Sequence, residues 1–139
     1  MNKALNYLSL ARKAGLAELG EEPVGAAARA GKAQIILVAS DASDHTWRRA
    51  KSFTAGTSQH CIRLDVTKDE LGQAIGHTSL AMAAITDVSM ALALVQSLEP
   101  AQRYSEILEA LKGKTEKMKK RQAESKAHKR NVRVGKVKK

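Results

Sequence analysis

Aromatic side chains are scarce in this chain. Tyr7, Trp47, Phe53 and Tyr104 make up 3% of 139 residues. Apolar residues still reach 43%, so the core must be aliphatic and rich in alanine. Cys61 is the one cysteine. An internal disulfide is thereby excluded, and a reducing, cytoplasmic setting is the simpler expectation. No apolar run reaches the roughly 18 residues of a membrane helix, so no membrane span is expected. The first 15 residues lack the long apolar stretch of a signal peptide. The histidines His45, His60, His77 and His128 have no metal-ligand spacing, beyond the adjacency of His60 and Cys61. The sequence has no G-x-S-x-G, no phosphate-binding P-loop and no G-x-G-x-x-G. Nothing here points to an enzyme, a metal site or a cofactor.

Positive charge, by contrast, is abundant and unevenly placed. Residues 114–139 hold 12 of the 24 Lys and Arg but only 2 of the 14 Asp and Glu. The whole excess of +10 falls there, and the preceding body is neutral. A polycation on a neutral body most often meets nucleic acid. Lys117, Lys119, Lys120, Arg121, Lys129 and Arg130 are the tail's candidate phosphate contacts. Few apolar groups lie in 114–139, so this tail is expected to be disordered or loosely helical on its own.

The body alternates helix and strand signals. Residues 3–14 read as a helix with Leu5, Leu8, Ala11 and Arg12 on one face, closed by Gly15. Leu16–Leu19 fits a very short strand. In Gly20–Ser43, Pro23 suits a first helical turn and Glu21 and Glu22 favour the helix dipole. Ile35–Ala39 is apolar without alternation, as in a strand covered on both faces. Ser40–Ser43 is a capping cluster for a helix reaching Gly56, with Trp47, Ala50 and Thr54 inward. Cys61–Leu64 alternates as a strand does. Thr67–Glu70 is a capping box opening a short helix that ends at Gly76. His77–Leu80 is a loop, Met82–Ile85 a buried strand, and Thr86 or Asp87 caps a helix through Leu98. This order predicts an α/β fold, a three-layer α-β-α sandwich with a four-stranded mixed sheet plus a basic C-terminal extension. The expected division is a domain at 1–98, an additional amphipathic helix at 99–113 broken by Gly113, and the basic tail at 114–139.

Several short motifs, in this order, resemble a known family. They are Leu10–Gly15, Gly20–Glu22, Ala39–Ser43, Thr67–Lys68 with Leu71–Gly72 and Ala74–Gly76, and Ala84–Asp87. Residues 1 to about 98 resemble the ribosomal proteins that bind kink-turn RNA, of the L-seven-Ae and L-thirty-e type, within the bacterial YlxQ-like branch. The resemblance implies the same three-layer fold and an RNA-binding protein related to ribosomal proteins, with RNA, and the ribosome, as partner. It also implies contact through two loops. One is the helix start that reads Gly-Asn-Glu-x-x-Lys in the family, here Gly20-Glu21-Glu22-Pro23-Val24-Gly25. Glu21 stands for the Asn and Gly25 for the Lys. An ionised Glu accepts hydrogen bonds but donates none, and Gly25 has no side chain to donate. The second loop is His77–Met82, where Leu80, Ala81 and Met82 would pack on an extruded nucleotide.

Each of these residues also has a plainer reading. Glu21 and Glu22 can serve the helix dipole alone. Asp41 and Ser43 read better as caps than as ligands. Trp47 reads better as core than as a base-stacking platform, and Arg48, Arg49 and Lys51 beside it read better as a solvated helix face than as a phosphate contact. A protein–protein interaction module on the same fold is the alternative function, favoured by the changes at Glu21 and Gly25.

Overall fold

The computed structural model describes the backbone of residues 3–98 and 101–137, with side chains up to Ala123 apart from those of 101 and 102. The elements in chain order are α1 (Lys3–Lys13), β1 (Ala17–Leu19), α2 (Glu21–Arg29), β2 (Ile35–Val38), α3 (Asp44–Thr54) and β3 (His60–Arg63). They continue with α4 (Lys68–Ala74), β4 (Met82–Ile85), α5 (Val88–Gln96), a 3-10 turn at Ala101–Tyr104, and α6 (Ser105–Val137). The strands form one sheet in the order β1-β4-β2-β3. β2 pairs parallel with β3, and β4 pairs antiparallel with both β1 and β2, so the sheet is mixed as expected. Helices α2 and α3 pack together, while α1 packs on α4 and α5.

The two strands read as apolar runs are the central ones. Ile35–Val38 and Met82–Ile85 are buried at every position. A strand with helices over both faces has no solvent side to reward alternation. The buried set is aliphatic, with Leu8, Ile36, Leu37, Leu71, Ile85 and Leu94 among its largest members. Alanines at 83 and 84 make β4 thin, and the longer side chains of β2 fill the space beside it. No helix among the described residues is long and apolar enough to cross a membrane.

Caps fix where the helices start. Thr67 and Glu70 form the full capping box, Glu70 N donating to Thr67 Oγ1 at 3.2 Å and Thr67 N to Glu70 Oε1 at 3.1 Å. Ser43 caps α3 by accepting from Thr46 N. Asp87, rather than Thr86, caps α5 by accepting from Met90 N at 2.9 Å. Asp41 caps a helix other than the one it precedes. It accepts from Lys68 N at 2.8 Å and so ties the end of β2 to the start of α4.

The C-terminal helix departs from expectation. Its expected start at Pro100 lies outside the described residues. The helix does not break at Gly113 but runs on from Ser105. A helical glycine costs about 1 kcal/mol relative to alanine. Packing on both sides of Gly113 offsets that: Leu111 and Thr115 are buried, Thr115 Oγ1 donates to Leu111 O, and Lys114 Nζ donates to Ser58 O at 2.6 Å. Met118 packs against the core cluster as well. Helix α6 lies along α5.

Candidate nucleic-acid interface

The start of α2 is built by Gly20. Its φ of +93° is a conformation that side chains with a Cβ rarely adopt. In that conformation its N–H donates to Met82 O at 2.9 Å and its carbonyl accepts from Val24 N at 3.0 Å. No side chain caps α2. The N–H groups of Glu21 and Glu22 are therefore left without intrahelical partners, at the positive end of the helix dipole. Glu22 is exposed and makes no ion pair among the described residues. Donors and a carboxylate acceptor thus stand side by side, a set that suits the edge of a base better than a bare phosphate.

Glu21 is held differently. It forms an ion pair with Arg49 of α3, and both side chains are about half exposed. Arg49 also lies over the Phe53 ring, 5.3 Å from its centroid. Phe53 in turn covers Gly25: a Cβ built there would stand 2.9 Å from Phe53 Cζ. The glycine at the position where the family carries Lys is thus a packing contact between α2 and α3. A cation does lie beside the α2 start, but α3 supplies it. Gly25→Lys is expected to cost about 1–3 kcal/mol by overpacking. Combined with Phe53→Ala, whose ring it displaces, it should cost less than the sum of the two single changes. Urea titration of the four proteins measures that coupling. Simple additivity would show that Gly25 and Phe53 do not meet.

The second loop adjoins the first. Gly20 N bonds Met82 O, and Ala39 N donates to Ala81 O at 3.0 Å, so both loops lie at the end of β2. The loop is drawn down onto α4 at Gly72, whose Cβ would stand 2.7 Å from the backbone of Ser79. Leu80 N donates to Lys68 O at 3.0 Å. The expected apolar contacts need correction here. Leu80 is 7% exposed and Met82 1%, because both side chains turn into the core. Ala81 is half-buried, and the residues that face solvent are His77, Thr78 and Ser79. Leu80–Ile85 is apolar throughout and has no alternation to show which members face inward, since the strand within it is buried on both sides.

The tail cations are not brought to this place. Lys117, Lys119, Lys120 and Arg121 are exposed on α6. Lys114 anchors that helix to Ser58 O and Gln34 Oε1, at the start of β2 and the approach to β3. That is the far end of the sheet from Gly20, about 13 Å away for a four-residue strand. The side chains of Lys129 and Arg130 lie outside the described residues.

No family model matches the chain. It is 38% identical over 74 residues to the RNA-binding protein YlxQ of Enterococcus faecium, a stretch covering 53% of this chain and 71% of that protein. The chain belongs to the YlxQ family. This YlxQ-family chain also resembles a solved Bacillus halodurans protein of unknown function, with a TM-score of 0.65 and 25% identity, over 70% of this chain and 97% of that one. The 15.5 kD RNA-binding protein of Giardia lamblia shares the fold, with a TM-score of 0.58 and 15% identity over 74% and 85% of the two chains.

Burial raises the Cys61 thiol pKa, against the smaller lowering effects of a Thr54 hydrogen bond and the nearby Lys51 charge. Burial, with the Lys114 charge, lowers that of His60. No group of three or more His, Cys, Asp or Glu among the described residues could hold a metal.

Proposed function

We propose that this is an RNA-binding protein related to ribosomal proteins. Its body holds structured RNA, kink-turn-like or ribosomal, at the uncapped α2 start and the adjoining 77–81 loop, and its basic helix adds phosphate contacts. The observation that carries this reading is the meeting of those two segments at one end of the sheet, in a chain whose relative is named for RNA binding. Gly20 sets the backbone, the N–H groups of Glu21 and Glu22 donate, and the Glu22 carboxylate accepts from a guanine edge. Arg49 neutralises Glu21 and so reduces repulsion of phosphate. Lys117, Lys119, Lys120, Arg121, Lys129 and Arg130 serve the tail's contacts, which add affinity without sequence preference. The ribosome and the cytoplasm are the corresponding partner and place.

Glu22→Ala should weaken binding to a kinked RNA by about 1–3 kcal/mol and leave duplex DNA binding unchanged. Fluorescence anisotropy with both probes measures this. Equal affinity of the two proteins for the kinked RNA would favour a protein-interaction module instead, the reading to which Glu21 and Gly25 lend support.

A further inference from the structure

Trp47 packs against the core cluster without being enclosed by it. It is half-buried on α3, beside the edge strand β3, with Arg63 of β3 and Lys51 of α3 reaching its ring. The Arg63 guanidinium carbon is 5.0 Å from the ring centroid and Lys51 Nζ is 5.8 Å from it. Both cations are exposed, and so is Arg48 next to Trp47 in sequence. The carboxylates nearest them along the chain, Asp44 and Asp65, form no ion pair with them among the described residues, and Glu21 is occupied by Arg49. Among the described residues, Lys51 and Arg63 thus lie against an aromatic ring and form no ion pair.

We propose that Trp47, Lys51 and Arg63 form a second RNA contact, a stacking platform for an unpaired strand flanking the structured RNA. The proposal rests on the RNA-binding reading above. Its place in the fold supports it. Arg63 is in register with Val38, at the same end of the sheet as Ala39, Ala81 and Gly20. The Arg49–Glu21 ion pair joins α3 to the α2 start, and Trp47 lies two residues before Arg49 on the same helix. The ligand class follows from the chemistry. A base in a duplex has both faces covered, whereas an unpaired base can stack on an indole. Lys51 and Arg63 hold the ring only by cation–π attraction, which is weak at an exposed site. A base takes the ring face, and the two long side chains swing to the phosphates on either side of it. The platform also supplies, from α3 and β3, cations that the α2 start lacks at Gly25.

Trp47 is the chain's one tryptophan, so its fluorescence reports on this site alone. Three probes separate the readings when added to the full-length protein: a blunt kinked hairpin, the same hairpin with about six unpaired nucleotides, and that single strand by itself. The extended hairpin should quench the fluorescence and bind about tenfold tighter than the blunt one. The single strand should quench at higher concentration. Trp47→Leu should bring the extended hairpin down to the affinity of the blunt one, which stays unchanged. Lys51→Gln with Arg63→Gln keeps the ring and should do the same, covering the case in which Trp47→Leu unfolds. A single strand that quenches while no hairpin binds would sustain the platform and remove the first site. A blunt hairpin that binds while neither the extension nor the single strand changes the fluorescence would remove the platform and leave the first site standing.

Discussion

Leu37→Ala should destabilise the protein by about 2–5 kcal/mol. Leu37 is fully buried in β2, between Ala83 of β4 and Ile62 of β3. Its neighbours are poorly placed to close the cavity. Ala83 has nothing to extend into it, and β2 is fixed by ladders on both sides. Helices on both faces of the sheet limit collapse further. The expected loss therefore lies in the range for cavities that relax only partly, and it is a large share of the roughly 5–15 kcal/mol that holds a domain together. Leu10→Ala is the control. Leu10 is 52% exposed on α1, so its loss should stay within about 0.5 kcal/mol. Urea titrations of the three proteins measure both values. A Leu37 variant as stable as the Leu10 variant would place β2 outside the core.

The sequence made β2, β4 and the helix caps legible because each rests on local chemistry. Runs such as Ile35–Val38 admit few environments, and Thr67 with Glu70 names its own hydrogen bonds. What stayed hidden depends on contacts distant in sequence. Asp41 sits in a capping cluster, yet its partner is Lys68, 27 residues on. Gly113 reads as a helix breaker until Leu111, Lys114 and Thr115 are seen to anchor the helix on both sides of it. At the candidate interface, Gly20 and Glu22 were legible because a turn and a helix start carry their own signals. Arg49 and Phe53 were not, since their partners Glu21 and Gly25 lie on another helix. Leu80 and Met82 showed their apolar character but not the direction they face.

The position of α6 changes what the tail can be expected to do. Lys114, Thr115 and Met118 belong to the packed body, so a cut after Gly113 removes structural contacts together with charge. A cut after Arg121 spares those contacts and still removes seven of the 12 tail cations. It should leave the melting temperature nearly unchanged, while the cut after Gly113 lowers it. On a helix, about half the cations face away from any one RNA surface. Roughly six of the tail's cations then meet phosphate in the intact protein, for a slope of log affinity against log salt near −5. The cut after Arg121 should flatten that slope to about −2. Over a tenfold rise in salt, the intact protein then loses affinity by about 10⁵ and the shortened one by about 10². Preference for a kinked RNA over a plain duplex should survive the cut, because phosphate contacts position and base contacts specify. That separation is also what the geometry suggests: α6 is anchored at Gln34 and Ser58, and the α2 start lies at the other end of the sheet. A salt series on both proteins with both RNAs measures slope and preference together. Equal slopes would mean that the cations beyond Arg121 bind no phosphate. A shortened protein that no longer distinguishes the kinked RNA would mean that specificity resides in α6, and the assignment of the RNA contact to Gly20–Glu22 would fall.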